Sequence, residues 1–162
     1  VGRAAGLRHP RELPAAMTPP PVATIGYEAA TLDDVIARLR AAEVALIADV
    51  RAVASSRRAG FSKTALRASL EAAGVDYVHF RALGTPKAGR EAARRGRVAE
   101  MRAIYADQLA TPEAETEFAR LAAECRARRV ALLCFEADAE GCHRRVLTER
   151  LASLLGAEIR DL

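Results

Sequence analysis

The sequence predicts a single-domain, three-layer α/β fold: a mostly parallel sheet of about five strands with helices on both faces. Three observations predict it. Short apolar segments alternate along the chain with segments whose apolar residues recur at helical spacing. Two of the apolar segments, residues 44–50 and 130–134, are nearly continuous, as expected of parallel strands covered on both faces. The polar clusters follow the carboxyl ends of the strands, where open α/β sheets bind ligands.

Each element has its own signature. Residues 1–21 hold Gly, Arg, Ala and the Pro19-Pro20-Pro21 run without any period, and read as a flexible lead-in to a domain spanning 22–162. Met17 stands just before that run while Val1 opens the chain, so translation is expected to start at Met17 or at an alternative codon for Val1, which the intact mass of natively expressed protein decides. Residues 22–26 form a first strand. Thr31 then caps a helix in which Leu32, Val35, Ile36 and Leu39 fall at i, i+3, i+4 and i+7. The second strand, 44–50, carries Asp49 and leads to Arg51. After an aperiodic segment, Ser62 caps a helix through Ala73 that Gly74 stops. Residues 75–80 are the third strand, and 81–97 mix Gly, Pro and charge as a long irregular connection with room for a helical turn.

A helix follows over 98–110. Thr111-Pro112-Glu113 opens the next with a cap, a proline at the first position and an acid in the first turn; its apolar face is Phe118, Leu121, Ala122 and Cys125. Residues 130–134 form the fourth strand. Val146, Leu147, Leu151, Leu154 and Leu155 make the last helix amphipathic, Gly156 ends it, and 157–162 suit a closing strand.

Composition narrows the partners. Of 162 residues, 51% are hydrophobic but only 4% aromatic, so Ala, Leu and Val must build the core. The net charge is +4, and Lys63 and Lys87 are the only lysines among 25 basic residues. Arginine recognises phosphate and carboxylate through two parallel hydrogen bonds, which favours an anionic small molecule or nucleic acid as partner. Three cysteines without a framework spacing point to a reducing, cytoplasmic setting. No apolar run reaches the roughly 18 residues of a membrane span, and no membrane partner is expected. Nothing in the sequence fixes the oligomeric state.

The chemistry concentrates between Cys134 and Arg145, where two cysteines, a histidine, three carboxylates and two arginines sit between a strand end and a helix start. Such a junction offers backbone N–H groups and a positive dipole, suited to holding an anion or lowering a thiol pKa. Cys142 is the candidate nucleophile, and Glu136 and His143 the candidate proton-handling groups. Arg51, Ser56, Arg57 and Arg144 are the candidates for binding charge, Glu136 having Arg51 or Arg144 as prospective partners. Each has a structural alternative, Cys142 as an inert turn residue and Glu136 in a salt bridge, and binding without catalysis satisfies the same residues. Adjacency in sequence does not by itself bring His143 to Cys142 on a helix. Asp49, inside an apolar strand, needs a partner and is expected to orient an arginine or cap backbone groups.

A metal site is not expected. Cys134, Cys142, His143 and His79 are possible ligands, but seven intervening residues and an adjacent Cys-His pair match no common zinc pattern. No dinucleotide, Walker or His-Glu-x-x-His motif is present, so no cofactor is expected. For nucleic acid, Arg51, Arg57, Arg58, Lys63, Lys87, Arg90, Arg94 and Arg95 offer a basic rim, with Tyr27 and Phe61 at loop positions suited to base stacking.

Thr24-Ile25-Gly26-Tyr27-Glu28, Asp49-Val50-Arg51, Ser56-Arg57, Gly60-Phe61-Ser62-Lys63, Leu83-Gly84-Thr85-Pro86-Lys87, and Leu132-Leu133-Cys134-Phe135-Glu136 followed by Cys142-His143-Arg144 resemble the DUF488 family over about residues 22–161. The resemblance implies an α/β domain and a site at these motifs rather than a reaction, and adds Tyr27, Lys63, Gly84 and Cys134 to the ligand-binding candidates. Some members carry a DNA-repair label, so a nucleic-acid-binding or regulatory interaction module is the alternative to a ligand-binding protein or enzyme. One departure is Ala54, where the family usually carries proline, which implies a less rigid loop after Arg51. A weaker similarity is to rhodanese-like and cysteine-phosphatase sites, against which the acidic Asp138 and Glu140 argue.

Overall fold

The computed structural model describes residues 18–162. The Met17 start and most of the expected lead-in lie outside them. The described chain is α/β, with five parallel strands in the order β3-β2-β4-β1-β5. The strands are β1 (Val22–Gly26), β2 (Leu46–Asp49), β3 (Asp76–His79), β4 (Val130–Cys134) and β5 (Ile159–Asp161). β4, the most apolar, lies between β1 and β2 with Gly26 opposite Cys134 and Asp49 opposite Leu133.

Alternation along the strands builds two cores. Leu46, Ala48, Val130 and Leu132 point to one face, while Ile47, Ala131, Leu133 and Ile25 point to the other. α1 (Leu32–Ala41) and α2 (Lys63–Ala72) cover the second face through Val35, Leu39, Leu66 and Leu70. α4 (Val98–Leu109), α5 (Pro112–Ala127) and α6 (His143–Leu155) cover the first through Met101, Tyr105, Leu121, Cys125 and Leu147. The result is the expected three-layer arrangement. Among the described residues, no helix is long and apolar enough to cross a membrane.

The terminators act as read. Thr31 completes a capping box with Asp34, Thr111 accepts from Ala114 N, and Gly156 takes the left-handed conformation at φ 64° that ends α6. Two expectations change. Ser62 occupies the cap position of α2 but makes no capping bond; its hydroxyl donates to Ser56 O and accepts from Ser56 N, tying down the loop after β2. The connection 81–97 is more regular than read, with a tight turn at Arg81–Leu83 and α3 (Lys87–Arg94). α3 buries only Gly89 and Ala92, so its arginines mask the apolar face in the sequence.

Candidate functional site

Parallel packing brings the loops after β1, β2, β3 and β4 to one end of the sheet, around a cavity of about 810 Å3. Its floor holds Cys134, Glu136, Cys142 and His143, and its rim holds Arg57, Arg58, Arg90 and Arg94.

One wall is a closed network. Arg51 Nε donates to Asp49 Oδ1 at 2.9 Å and Nη2 to Oδ2 at 2.7 Å, while Nη1 donates to Tyr27 Oη at 3.0 Å and Phe61 O at 2.7 Å. Tyr77 Oη donates to the second oxygen of Asp49, and burial together with that carboxylate pushes the Tyr77 phenol well up. Asp49 therefore orients an arginine, as expected. Arg51 borders the cavity but its side chain is only 5% exposed, and four of its donor contacts are internal, so it is architectural rather than free for an anion. Tyr27 and Phe61 stack on each other with centroids 4.2 Å apart, and both are buried. Neither offers a face to a base.

The β4 to α6 junction is held by backbone rather than by charge. Arg144, 1% exposed, donates through Nη1 to Ile25 O and Glu136 O, and does not border the cavity. Its expected role in anion binding gives way to that of a clamp between β1 and the loop. Gly26 belongs to the same joint: a Cβ there would lie 1.7 Å from Glu136 O. Gly84 makes the corresponding close approach to the loop after β2, where a Cβ would lie 2.2 Å from Ala52 N. Neither Gly84 nor Lys63 borders the cavity, whereas Ser56 and Arg57 do.

At the floor the adjacent pair converges. Cys142 is the extended cap residue of α6 and His143 its first helical residue, so the chain turns between them and both side chains reach the end of β4. His143 Nδ1 lies 3.5 Å from Cys142 Sγ and 3.8 Å from Cys134 Sγ. Its Nε2 lies 2.8 Å from Val50 O. Cys142 Sγ accepts from Arg144 N as a helix cap. Glu136 meets neither Arg51 nor Arg144 through its side chain; Oε2 accepts instead from Cys134 Sγ at 2.9 Å and Cys142 Sγ at 3.3 Å.

These contacts set the protonation states. Burial opposes a charge on Glu136, but hydrogen bonds from Cys134, its own backbone and Cys142 hold its carboxyl below the usual range. The hydrogen bond with Cys134, then burial, raises the Cys142 thiol well above its ordinary value. The helix start thus does not produce the low-pKa thiolate expected from the sequence, because the contact with Cys134 and burial outweigh the lowering effect of His143. Burial opposes the His143 imidazolium, yet its contacts with Cys142 and the Val50 carbonyl, and the nearby Glu136, raise its pKa. Cys125, on the core face of α5, is pushed up to about 12 by burial.

Arg90 and Arg94 border the same cavity as the strand-end motifs, where the basic rim was expected, and so do the exposed Val53 and Phe135, for which sequence reasoning had no binding role. Arg90 and Arg94 entered only as part of a nucleic-acid rim. The family model for the domain of unknown function DUF488 matches residues 31–151, and the chain belongs to that family. No curated protein and no solved structure matches the chain.

Proposed function

We propose that the protein binds a small anionic ligand, bearing phosphate or carboxylate, in the cavity at the carboxyl ends of the strands. The observation that carries this reading is the rim. Arg57 and Arg94 are exposed on the cavity border without an internal ion pair among the described residues, while Arg58 and Arg90 are partly engaged by the carbonyls of Glu28, Ala30 and Thr85. Exposed Val53 and Phe135 beside them suit a ligand with an apolar part next to its charge.

The concave shape favours a small molecule over a nucleic-acid strand, as does burial of the Tyr27–Phe61 stack, which leaves Phe135 as the exposed aromatic among the lining residues. Binding rather than turnover is the part of the reading that geometry supports, with Cys142, His143 and Glu136 below the ligand as the groups available for chemistry. Three free cysteines, two of them close together, fit a reducing cytoplasm.

A thermal-shift screen of phosphate- and carboxylate-bearing metabolites tests the reading. A ligand at 100 times its Kd should stabilise the fold by about 2.7 kcal/mol. The Arg57→Ala, Arg94→Ala double variant should lose most of that shift while its own stability stays within about 0.5 kcal/mol of the parent. An equal shift in both proteins overturns the reading, as does a screen in which only salt-sensitive DNA or RNA binding appears.

A further inference from the structure

We propose that Cys134, Cys142 and His143 form a site for one thiophilic divalent cation, zinc in preference, at the floor of the cavity. The spacing in sequence argued otherwise, but the fold closes the gap: one sulfur and one imidazole nitrogen from the start of α6 meet the sulfur at the end of β4, and the three donor atoms all lie within 4.8 Å of one another.

The distances fit a single ion. Zn–S and Zn–N bonds of about 2.3 and 2.05 Å at a tetrahedral angle set their donor atoms about 3.6 Å apart. His143 Nδ1 stands 3.5 and 3.8 Å from the two sulfurs. An ion therefore needs little rearrangement of the imidazole.

The histidine is oriented for the task. A carbonyl only accepts, so the 2.8 Å contact with Val50 O places the ring proton on Nε2. The neutral ring then turns an unshared pair on Nδ1 toward both sulfurs. A backbone carbonyl on the far nitrogen is the outer contact that fixes metal-bound histidines. Tyr105 packs edge-on against the same ring at 5.2 Å between centroids and limits its rotation.

The fourth position falls on the cavity side, where Glu136 borders the opening with Oε2 2.9 and 3.3 Å from the sulfurs. A carboxylate set against both sulfurs opposes an anionic thiolate nucleophile and suits a cation shared among all the donors. Two thiolates with an imidazole select a soft or borderline ion such as zinc, and three protein ligands with a fourth position toward a cavity are the composition of an accessible rather than a closed site. The assignment goes beyond the anion reading and does not depend on it.

Cobalt(II) titration of the reduced, chelator-treated full chain tests the site. One equivalent should produce a thiolate-to-cobalt charge-transfer band and tetrahedral visible bands, both erased by one equivalent of zinc. Cys125→Ser should leave them unchanged. Cys134→Ser, Cys142→Ser and His143→Gln should each weaken binding by more than about 100-fold, beyond the loss typical of an outer-shell partner. Should a variant fail to fold, the wild-type spectrum still decides, because only two thiolates on one ion give that band intensity and that zinc stoichiometry. A folded, reduced wild-type chain without the thiolate band overturns the proposal, as does a band that survives in the folded Cys134→Ser, Cys142→Ser double variant. The Arg57→Ala, Arg94→Ala protein should keep the cobalt spectrum, so failure of the anion reading and failure of the metal site give separate results.

Discussion

Asp49 and Arg51 close the end of β2 in a network whose polar atoms nearly all have partners, whereas at the end of neighbouring β4 the atoms of Cys134, Cys142 and His143 converge on one another with an imidazole lone pair directed into the group. Both clusters are buried, both contain ionisable groups, and both lie at the carboxyl ends of central strands. They differ in residual capacity. The Asp49 cluster satisfies itself and so holds loops in place. The cysteine cluster brings three ligand-type atoms together and opens to a cavity, which is what a site requires.

The largest expected effect comes from breaking the closed network. Asp49→Ala leaves Arg51 and Tyr77 buried without their acceptor and should cost about 3–5 kcal/mol, read from denaturant unfolding. A loss below about 1 kcal/mol would mean that the network is far wetter than its burial indicates. Next comes the joint between the loops: Gly84→Ala sets a methyl against Ala52 N and should cost about 1–3 kcal/mol as overpacking, with weaker anion binding because the cavity wall shifts. The smallest effect on stability belongs to the rim, where Arg57 and Arg94 can be removed almost without thermodynamic consequence while ligand binding falls. A rim variant that unfolds the protein would erase the contrast between architecture and site.

The fold was legible because burial leaves simple marks. β4 reads as an unbroken apolar run since both faces are covered, and Thr111 and Gly156 announce helix ends through hydrogen bonding and backbone conformation alone. α3 was hidden, as its small buried residues carry no apolar period. The location of the site was legible from strand ends, but roles were not. Arg51 and Arg144 looked like anion binders because sequence reports a charge and not its partners; the fold engages one with Asp49 and the other with backbone carbonyls. Adjacency on a helix does not by itself bring His143 to Cys142, but the cap residue is extended at φ −115°. That single change of backbone state turns an unpromising spacing into a three-donor cluster.

The most direct measurement is residue-resolved alkylation of the native, reduced chain with and without one equivalent of zinc, read by peptide mass spectrometry. Zinc should slow modification of Cys134 and Cys142 together, by about tenfold or more once the free ion exceeds ten times its Kd. Unchanged rates at both cysteines in the presence of zinc would contradict the metal site.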